Sequence, residues 1–543
     1  MTGVMEMQTL GPRDGGPRAQ VGVSLTNARL LGRGRFARGR GDWLISARHG
    51  YLDLVMEMVG VTRRYGDELV PRYGDVMGKA ALELGRANRV SIHTLYAADQ
   101  LRARDGDLRA ATSYGNRYLW ARWESHPAPG LSAQTVASVA SLEWDRRGEW
   151  SGERAGTRVA DRRELGRLGV RQDLSWDASR HVVARAGWEW AALDARYTYR
   201  SHRQTLAEGD GTGPPHLDSI HVDARPAGSV LAGYLAARVR PAEPLVLEAG
   251  MRYDAQRYSG DQGWSPRLNL RYRAGPATTL RAAWGVYRQA QPIHSLQVQD
   301  GVRTFSPAER AEHRVLGVEH TLRGAAVRVE AYQRLLPSVR PRFVNLDRSL
   351  DIFPEVEEDR FLLAPDGGES RGVEVFAQGG EGQALRWHAA YTLARIIDRY
   401  GPREIPRDTD QRHTLQLGAA YLPNPAWRLS AAWRAQSGLP ITPREFRIVA
   451  LPDGGARRFS EPGALYSERL GSYQRLDVRL TRSWTTRRGR GSAFLDVFNA
   501  LDRANPRGYD YGFSSAPDGT PRVNRTVSTS LPLIPSIGFT WEF

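Results

Sequence analysis

Cysteine is absent from all 543 residues. That excludes a disulfide framework, a zinc–thiolate site and a cysteine nucleophile together. Long apolar runs are absent as well. No stretch approaches the ~18 consecutive apolar residues that a membrane-crossing helix needs. The most apolar early stretch, residues 51–61, is broken by Asp53 and Glu57. Lysine is nearly absent: Lys79 is the only one, so the 76 basic residues are almost all arginine. Signatures of phosphate-binding loops, serine-hydrolase elbows and zinc-protease helices are missing. The glycine-rich stretch 32–41 is not followed by a Lys-Ser/Thr helix start, and it reads as a turn. Residues 1–16 carry no basic n-region, apolar core or small-residue cleavage site, so they do not form a secretory leader.

The net charge of +16 and the pI near 10.2 raise nucleic acid as a partner. The arginines argue against it, because they are spread along the chain and fall at alternate positions within strand-like runs. A solvated wall and loops accommodate them, and no nucleic-acid interface is expected. A codon bias toward arginine produces the same excess with no function attached.

What is present is alternation of period two, the mark of strands with two unlike faces. It recurs in about 21 segments of roughly ten residues, with no convincing amphipathic helix of three turns between them. Clear cases are 76–84, 89–98, 245–253, 279–287, 385–393, 414–421 and 473–481. Short connections near 85–88, 125–130, 177–180, 241–243, 274–276, 323–324, 379–383 and 423–425 alternate with long ones. The long ones lie near 99–116, 200–227, 288–311, 336–369, 396–410, 437–471 and 500–531. A sandwich or a propeller has no such alternation. A bacterial outer-membrane barrel does, with short periplasmic turns and long extracellular loops. The expected fold is therefore all-β: a large antiparallel transmembrane barrel of about 22 strands. Counting back from the C-terminus makes residues 21–31 a descending strand, whose ascending partner is missing or lies within the first 20 residues.

The chain ends on alternating aromatic residues. Ile537, Phe539, Trp541 and Phe543 share one face, while Gly538, Thr540 and Glu542 share the other. The first face suits lipid and the second a polar lumen. An aromatic end of this kind resembles the signal read by the barrel assembly machinery, which makes that machinery an expected partner through the strand ending at Phe543. The 15 Trp and 21 Tyr cluster near strand ends, including Trp120, Trp123, Trp144, Trp264, Trp284 and Trp427. As a set, with no single residue assigned, they are expected to form girdles at the two membrane–water boundaries, with sugar stacking or core packing as the alternative.

Four stretches resemble the TonB-dependent outer-membrane receptors. Ser370-Arg371-Gly372-Val373-Glu374 is similar to the S-x-G-x-E that opens a strand in that family. Residues 405–414, containing Asp410, Arg412 and His413, are similar to its P-x-D-x-x-x-R-H-T-like segment. Residues 494–499 resemble its penultimate-strand box ending in Phe498 and Asn499, with Asp496 replacing the usual first Asn. Residues 531–536, followed by the terminal Phe543, resemble its closing strand. The similarity extends more loosely through 41–51 and 71–79 to residues 3–9, which look like the last strand of the family's plug.

The resemblance implies two parts: residues 1–20 as the end of a plug and the barrel entrance, and 21–543 as the barrel. It implies uptake of a scarce small-molecule ligand, a metal chelate, vitamin or glycan fragment, driven through TonB. It also implies outer-membrane lipid as surroundings and no cofactor. A signal peptide, the rest of the plug and the TonB-contacting box are not in the sequence, so the chain is expected to be truncated at its amino end. On its own such a barrel would be an open pore or would fail to assemble.

Two clusters carry residue types suited to other chemistry. Asp408, Asp410, Arg412 and His413 are suitable for metal binding or acid–base work, but acidic side chains at the start of a strand commonly bond backbone N–H groups. The acidic run 351–359 offers oxygen ligands for Ca²⁺, yet fits as well a salt partner for a nearby arginine. No catalytic, metal or cofactor residue is therefore assigned, and an enzyme is not expected. A passive pore, an adhesive barrel and, further off, a barrel hydrolase remain as alternatives. Loops 200–227, 336–369 and 437–471 are expected to touch ligand.

Overall fold

The computed structural model describes residues 18–58, 68–105, 108–151, 155–205, 216–346, 353–356, 360–450, 456–515 and 521–543. They form a closed antiparallel barrel of 22 strands, each paired with its neighbours in chain order. Closure falls between the ends of the chain. Ala19–Ser24 pairs on one side with Asn27–Phe36 and on the other with Ile534–Glu542, in the register Gln20↔Glu542 to Ser24↔Gly538. Phe543 N donates to Ala19 O and Arg18 N to Phe543 O, each at 2.9 Å. Among the described residues the barrel ring has no open edge, as a sheet surrounded by hydrocarbon requires.

Alternation along each strand gives the wall its two faces. Outward positions carry Ile92, Leu119, Val139, Leu168, Leu235 and Leu316, the last 67% exposed. Aliphatic exposure repeated around a whole cylinder is stable against lipid and not against water. Inward positions carry ion pairs: Arg167–Glu189 at 2.7 Å, Arg252–Asp254 at 2.8 Å, Arg281–Glu319 at 2.6 Å and Arg475–Asp477 at 2.9 Å. Much of the arginine excess lies here, on a polar wall whose charges neutralise one another locally. Lys79 belongs to the same face, 4.0 Å from Asp42, which Arg89 also pairs.

Several sequence expectations need correction. Residues 21–31 are not one descending strand. A tight turn at residues 25–26 divides them, and the ascending partner sought within the first 20 residues is Ala19–Ser24. Within 99–116, residues 99–105 and 108–116 are not loop but the upper parts of Asn88–Asp105 and Leu108–Ala128, paired through Asp105↔Leu108. Likewise 200–227 holds the top of Val182–Thr205 and the paired segment His216–Ala224. Above the membrane the outward positions no longer need apolar side chains. The hydrogen-bond ladder continues there while the period-two signal fades.

Trp120 and Trp144 do not belong to an outer girdle. Trp120 stacks on buried His93 at 4.8 Å inside the barrel, and Trp144 lies beneath two inward guanidinium groups, with Arg163 4.5 Å from its ring centroid. Trp123, Trp176, Trp264, Trp284 and Trp427 face outward.

The two faces predict opposite responses to one kind of substitution. Leu268 is 48% exposed on the lipid side, and its neighbour Asn269 faces the lumen. Leu268→Arg should cost about 2–4 kcal/mol in denaturant unfolding from lipid, whereas Asn269→Arg should change stability by no more than about 0.5 kcal/mol. Equal effects at the two positions would contradict the assigned faces.

Candidate functional site: the mouth and lumen

The barrel is lopsided. Asn27–Phe36 and Gly41–Gly50 have 10 residues each, while Leu131–Ser151 has 21, Ala155–Ser179 has 25 and Val182–Thr205 has 24. A strand needs ~9–11 residues to cross, so the long ones stand well above the membrane as a tall wall. Its outer face is a lattice of exposed ion pairs, among them Arg162 with Glu143 and Glu164, both at 2.8 Å, and Arg158 with Glu149 at 2.8 Å. Its inner face carries an apolar patch: Val159, Leu165, Tyr197, Tyr199 and Val222 are buried.

Two connections fold inward to cover that face. Residues 290–308 bring Ile293, Leu296 and Val298 against it, and the connection after Ala325–Ser338 brings Phe353. Tyr197 holds the first connection by donating to Ile293 O at 2.7 Å and accepting from Leu296 N at 3.1 Å. Tyr258, in the turn at residues 257–260, donates to Gln291 O at 2.8 Å, and burial pushes its phenol up from its ordinary pKa.

Beneath this cap lies a buried charge cluster. Asp161 accepts from Arg146 at 2.7 Å and from Arg163 at 2.9 Å. Arg146 also donates to both oxygens of Glu355, at 2.8 and 3.0 Å. Arg163 continues to Leu296 O at 3.2 Å and Gln299 Oε1 at 2.8 Å. Two arginines and two carboxylates thus neutralise each other where water is excluded, and they lock both connections to the wall. Sequence reasoning missed the cluster, although a signal existed. Asp145-Arg146-Arg147 and Asp161-Arg162-Arg163 repeat the same triplet on strands that pair Arg146 directly with Asp161.

The residues singled out in the sequence are distributed around the barrel and do not form one site. Gly372 lies opposite Tyr332, and a Cβ there would stand 2.8 Å from the Tyr332 hydroxyl and 2.5 Å from Leu393 O. Glycine is what allows that ring to cross the strand. Ser370 is buried on the same strand, and Glu374 faces Glu330 across the pair. Asp410 is wholly buried, accepting from Ile396 N at 2.6 Å and Arg412 Nη2 at 3.0 Å. Arg469 pairs with its carboxylate and donates to its carbonyl at 2.8 Å, tying two loops together. His413 is exposed on the outer face, where its Nδ1 meets the Tyr391 hydroxyl at 2.9 Å. The contacts of Asp410 and of His413 therefore share no partner. Among the described residues no group of three His, Asp or Glu side chains has metal-holding geometry.

Phe498 lies under the Arg475 guanidinium at 4.3 Å. Asn499 takes the left-handed conformation, φ 51°, and its buried side chain donates to Arg503 O at 3.1 Å and Leu531 O at 3.2 Å. Asn is one of the few non-glycine residues that adopts this conformation readily. Phe543 closes the seam with its ring exposed outward. In the acidic run, Glu355 is the salt partner of Arg146, while 351–352 and 357–359 lie outside the described residues, as do residues 1–17 of the expected plug end.

Between the walls, a lumen cavity of about 1150 Å³ is lined in part by Arg386, His388, Arg428, Asp477, Arg479 and Asp496. The cap roofs the side under the tall wall. Removing one charge from the buried cluster should release it. Asp161→Asn leaves the buried Arg163 guanidinium without its counter-charge, a loss of about 3–5 kcal/mol. Amide exchange across residues 293–300 should then accelerate at least ~100-fold while the barrel keeps its heat-modifiable mobility. Unchanged exchange would contradict the locking role.

A family profile for the TonB dependent receptor-like β-barrel matches residues 38–500. A search of the curated proteins found no sequence match. Among solved structures, the ferric preacinetobactin receptor BauA of Acinetobacter baumannii is similar, with TM-score 0.65 and 12% identity over 97% of this chain and 80% of its own. The ferric citrate transporter FecA has TM-score 0.62 and 13% identity over 97% and 78%. The ferric-catecholate import receptor Fiu of E. coli has TM-score 0.65 and 10% identity over 98% and 82%. At these identities the structural likeness establishes the fold, and the profile establishes the family. The chain belongs to the TonB-dependent receptor-like β-barrels of the outer membrane.

Proposed function

We propose that this barrel is the membrane wall of a TonB-energised importer whose ligand is a ferric chelate. The observation that carries the reading is a wide, ion-paired lumen beneath inward-folded extracellular connections, in a barrel of this family. Names of the similar structures support iron in particular: ferric preacinetobactin, ferric citrate and ferric catecholate. Ligand meets the mouth at the strand tops of 200–227 and at 336–369 and 437–471, and TonB acts on a plug held within the lumen. The strand ending at Phe543, with Phe539 and Trp541 on the same outward face, is what the assembly machinery reads. The family-motif residues Ser370, Gly372, Glu374, Asp410, Arg412, Phe498 and Asn499 keep strands and loop bases in place and do not touch ligand. Neither a catalytic residue nor a cofactor enters the proposal.

The test is uptake of iron-55 by cells expressing the receptor, offered ferric citrate, a ferric catecholate and a ferric hydroxamate in turn. One chelate should be taken up saturably, and uptake should stop when TonB is deleted. Removing loop 437–471 should cut its binding about tenfold or more, with heat-modifiable assembly intact. Entry of small solutes that is unsaturable and indifferent to TonB would overturn the reading in favour of a passive pore.

A further inference from the structure

A lateral row of residues crosses four adjacent strands on the outer surface. Arg314 lies opposite Gln333, Gln333 opposite Arg371, and Arg371 opposite Arg395. One alternation lower is the row Leu316, Ala331, Val373 and Leu393, of which Leu316, Val373 and Leu393 are 67%, 40% and 42% exposed on the lipid side. Side chains of equal parity share a face, so the three arginines point outward as well. They stand where the apolar band ends toward the long loops. Trp284 is at the same height, opposite Arg314, and its indole N–H donates to Glu312 at 3.0 Å, as befits the boundary between hydrocarbon and headgroups.

Two of these arginines have counter-charges: Arg314 pairs with Glu312 at 2.8 Å and Arg395 with Glu404 at 3.0 Å. Arg371 is exposed, and among the described residues its side chain makes no hydrogen bond or ion pair. Its direct cross-strand neighbour is another arginine. Like charges placed opposite each other in a ladder are destabilising, and Glu369, two residues along on the same face, is already engaged by Arg399 and Gln333. An anion at that point would remove the conflict, and the anions present at that height around a membrane protein are headgroup phosphates. A guanidinium binds phosphate through paired N–H donors, and two on adjacent strands can grip one group from both sides.

We propose that Arg371 and Arg395, flanked by Arg314, form a binding site for the phosphate of a phosphorylated glycolipid in the outer leaflet. The site lies on the outer wall, away from the lumen and mouth, and holds whether or not iron is the cargo. It fixes an annular lipid beside the strand Gly367–Gly379, whose inner face carries the Tyr332–Gly372 crossing.

The test uses the purified receptor in detergent, with lipid A, enzymatically dephosphorylated lipid A and inorganic phosphate as probes, read by native mass spectrometry. Wild type should retain lipid A about tenfold more tightly than its dephosphorylated form, and inorganic phosphate should not be retained. The double variant Arg371→Gln/Arg395→Gln should lose about tenfold in lipid A affinity. The control pair Arg147→Gln/Arg158→Gln, which removes the same charge from the tall wall, should stay within about twofold. Heat-modifiable mobility verifies that each variant is folded. Equal binding by the Arg371/Arg395 variant, indifference to lipid phosphate, retention of inorganic phosphate, or equal loss in the control pair would each overturn the site.

Discussion

A polypeptide in hydrocarbon has no water to satisfy its N–H and C=O groups, and every other feature of this molecule follows from how that demand is met. The solution is a ring of strands in which each edge is paired, including the two that meet at Ala19–Ser24 and Ile534–Glu542. Once the ring closes, the pleat sorts side chains with no further instruction: aliphatic residues meet lipid, and charges meet the enclosed water. The arginine excess is then read as local neutralisation on two polar surfaces, the lumen and the outside of the tall wall, and the net charge of +16 says little about partners.

The same ladder explains the asymmetry of the mouth. Where Asn88–Asp105 through Val182–Thr205 rise beyond the membrane, their hydrogen bonds continue in water and carry a second sheet surface upward. Its inner side carries an apolar patch, with Tyr197, Tyr199, Val159 and Val222, that must be covered. Connections from the neighbouring part of the barrel supply the cover, and a buried cluster of arginines and carboxylates fixes them there. Such a cluster is a poor source of net stability against a hydrophobic alternative. It is an effective way of specifying one docked arrangement, because any misplacement leaves a charge unpaired out of water.

Fold class, strand number and the two faces of the final strand were legible in the sequence because lipid enforces period two within the membrane. Legibility ended where lipid ends. Residues 99–116 and 200–227 look like loops in the sequence because charges such as Arg104 and Arg200 fill their outward positions, although the ladder runs on beneath them. Trp120 and Trp144 misled for a related reason. Aromatic residues near strand ends serve a girdle or a guanidinium platform equally well, and only register decides which. The Asp410–Arg412–His413 run was readable as a motif, but not that the contacts of Asp410 and His413 share no partner. Those contacts follow from a register that sequence spacing alone does not anchor.

The central claim is that the sheet closes on itself through its first and last strands, and the absence of cysteine makes it directly measurable. Gln20 and Glu542 face each other across the seam, hydrogen-bonded at 3.0 Å. With Gln20→Cys and Glu542→Cys in the otherwise cysteine-free chain, mild oxidation of the assembled protein should join them within one molecule. A denaturing gel should then show a single, faster-migrating circular species that reverts on reduction. Free thiols or only intermolecular dimers in the assembled protein would mean that the cylinder does not close where this account places the seam.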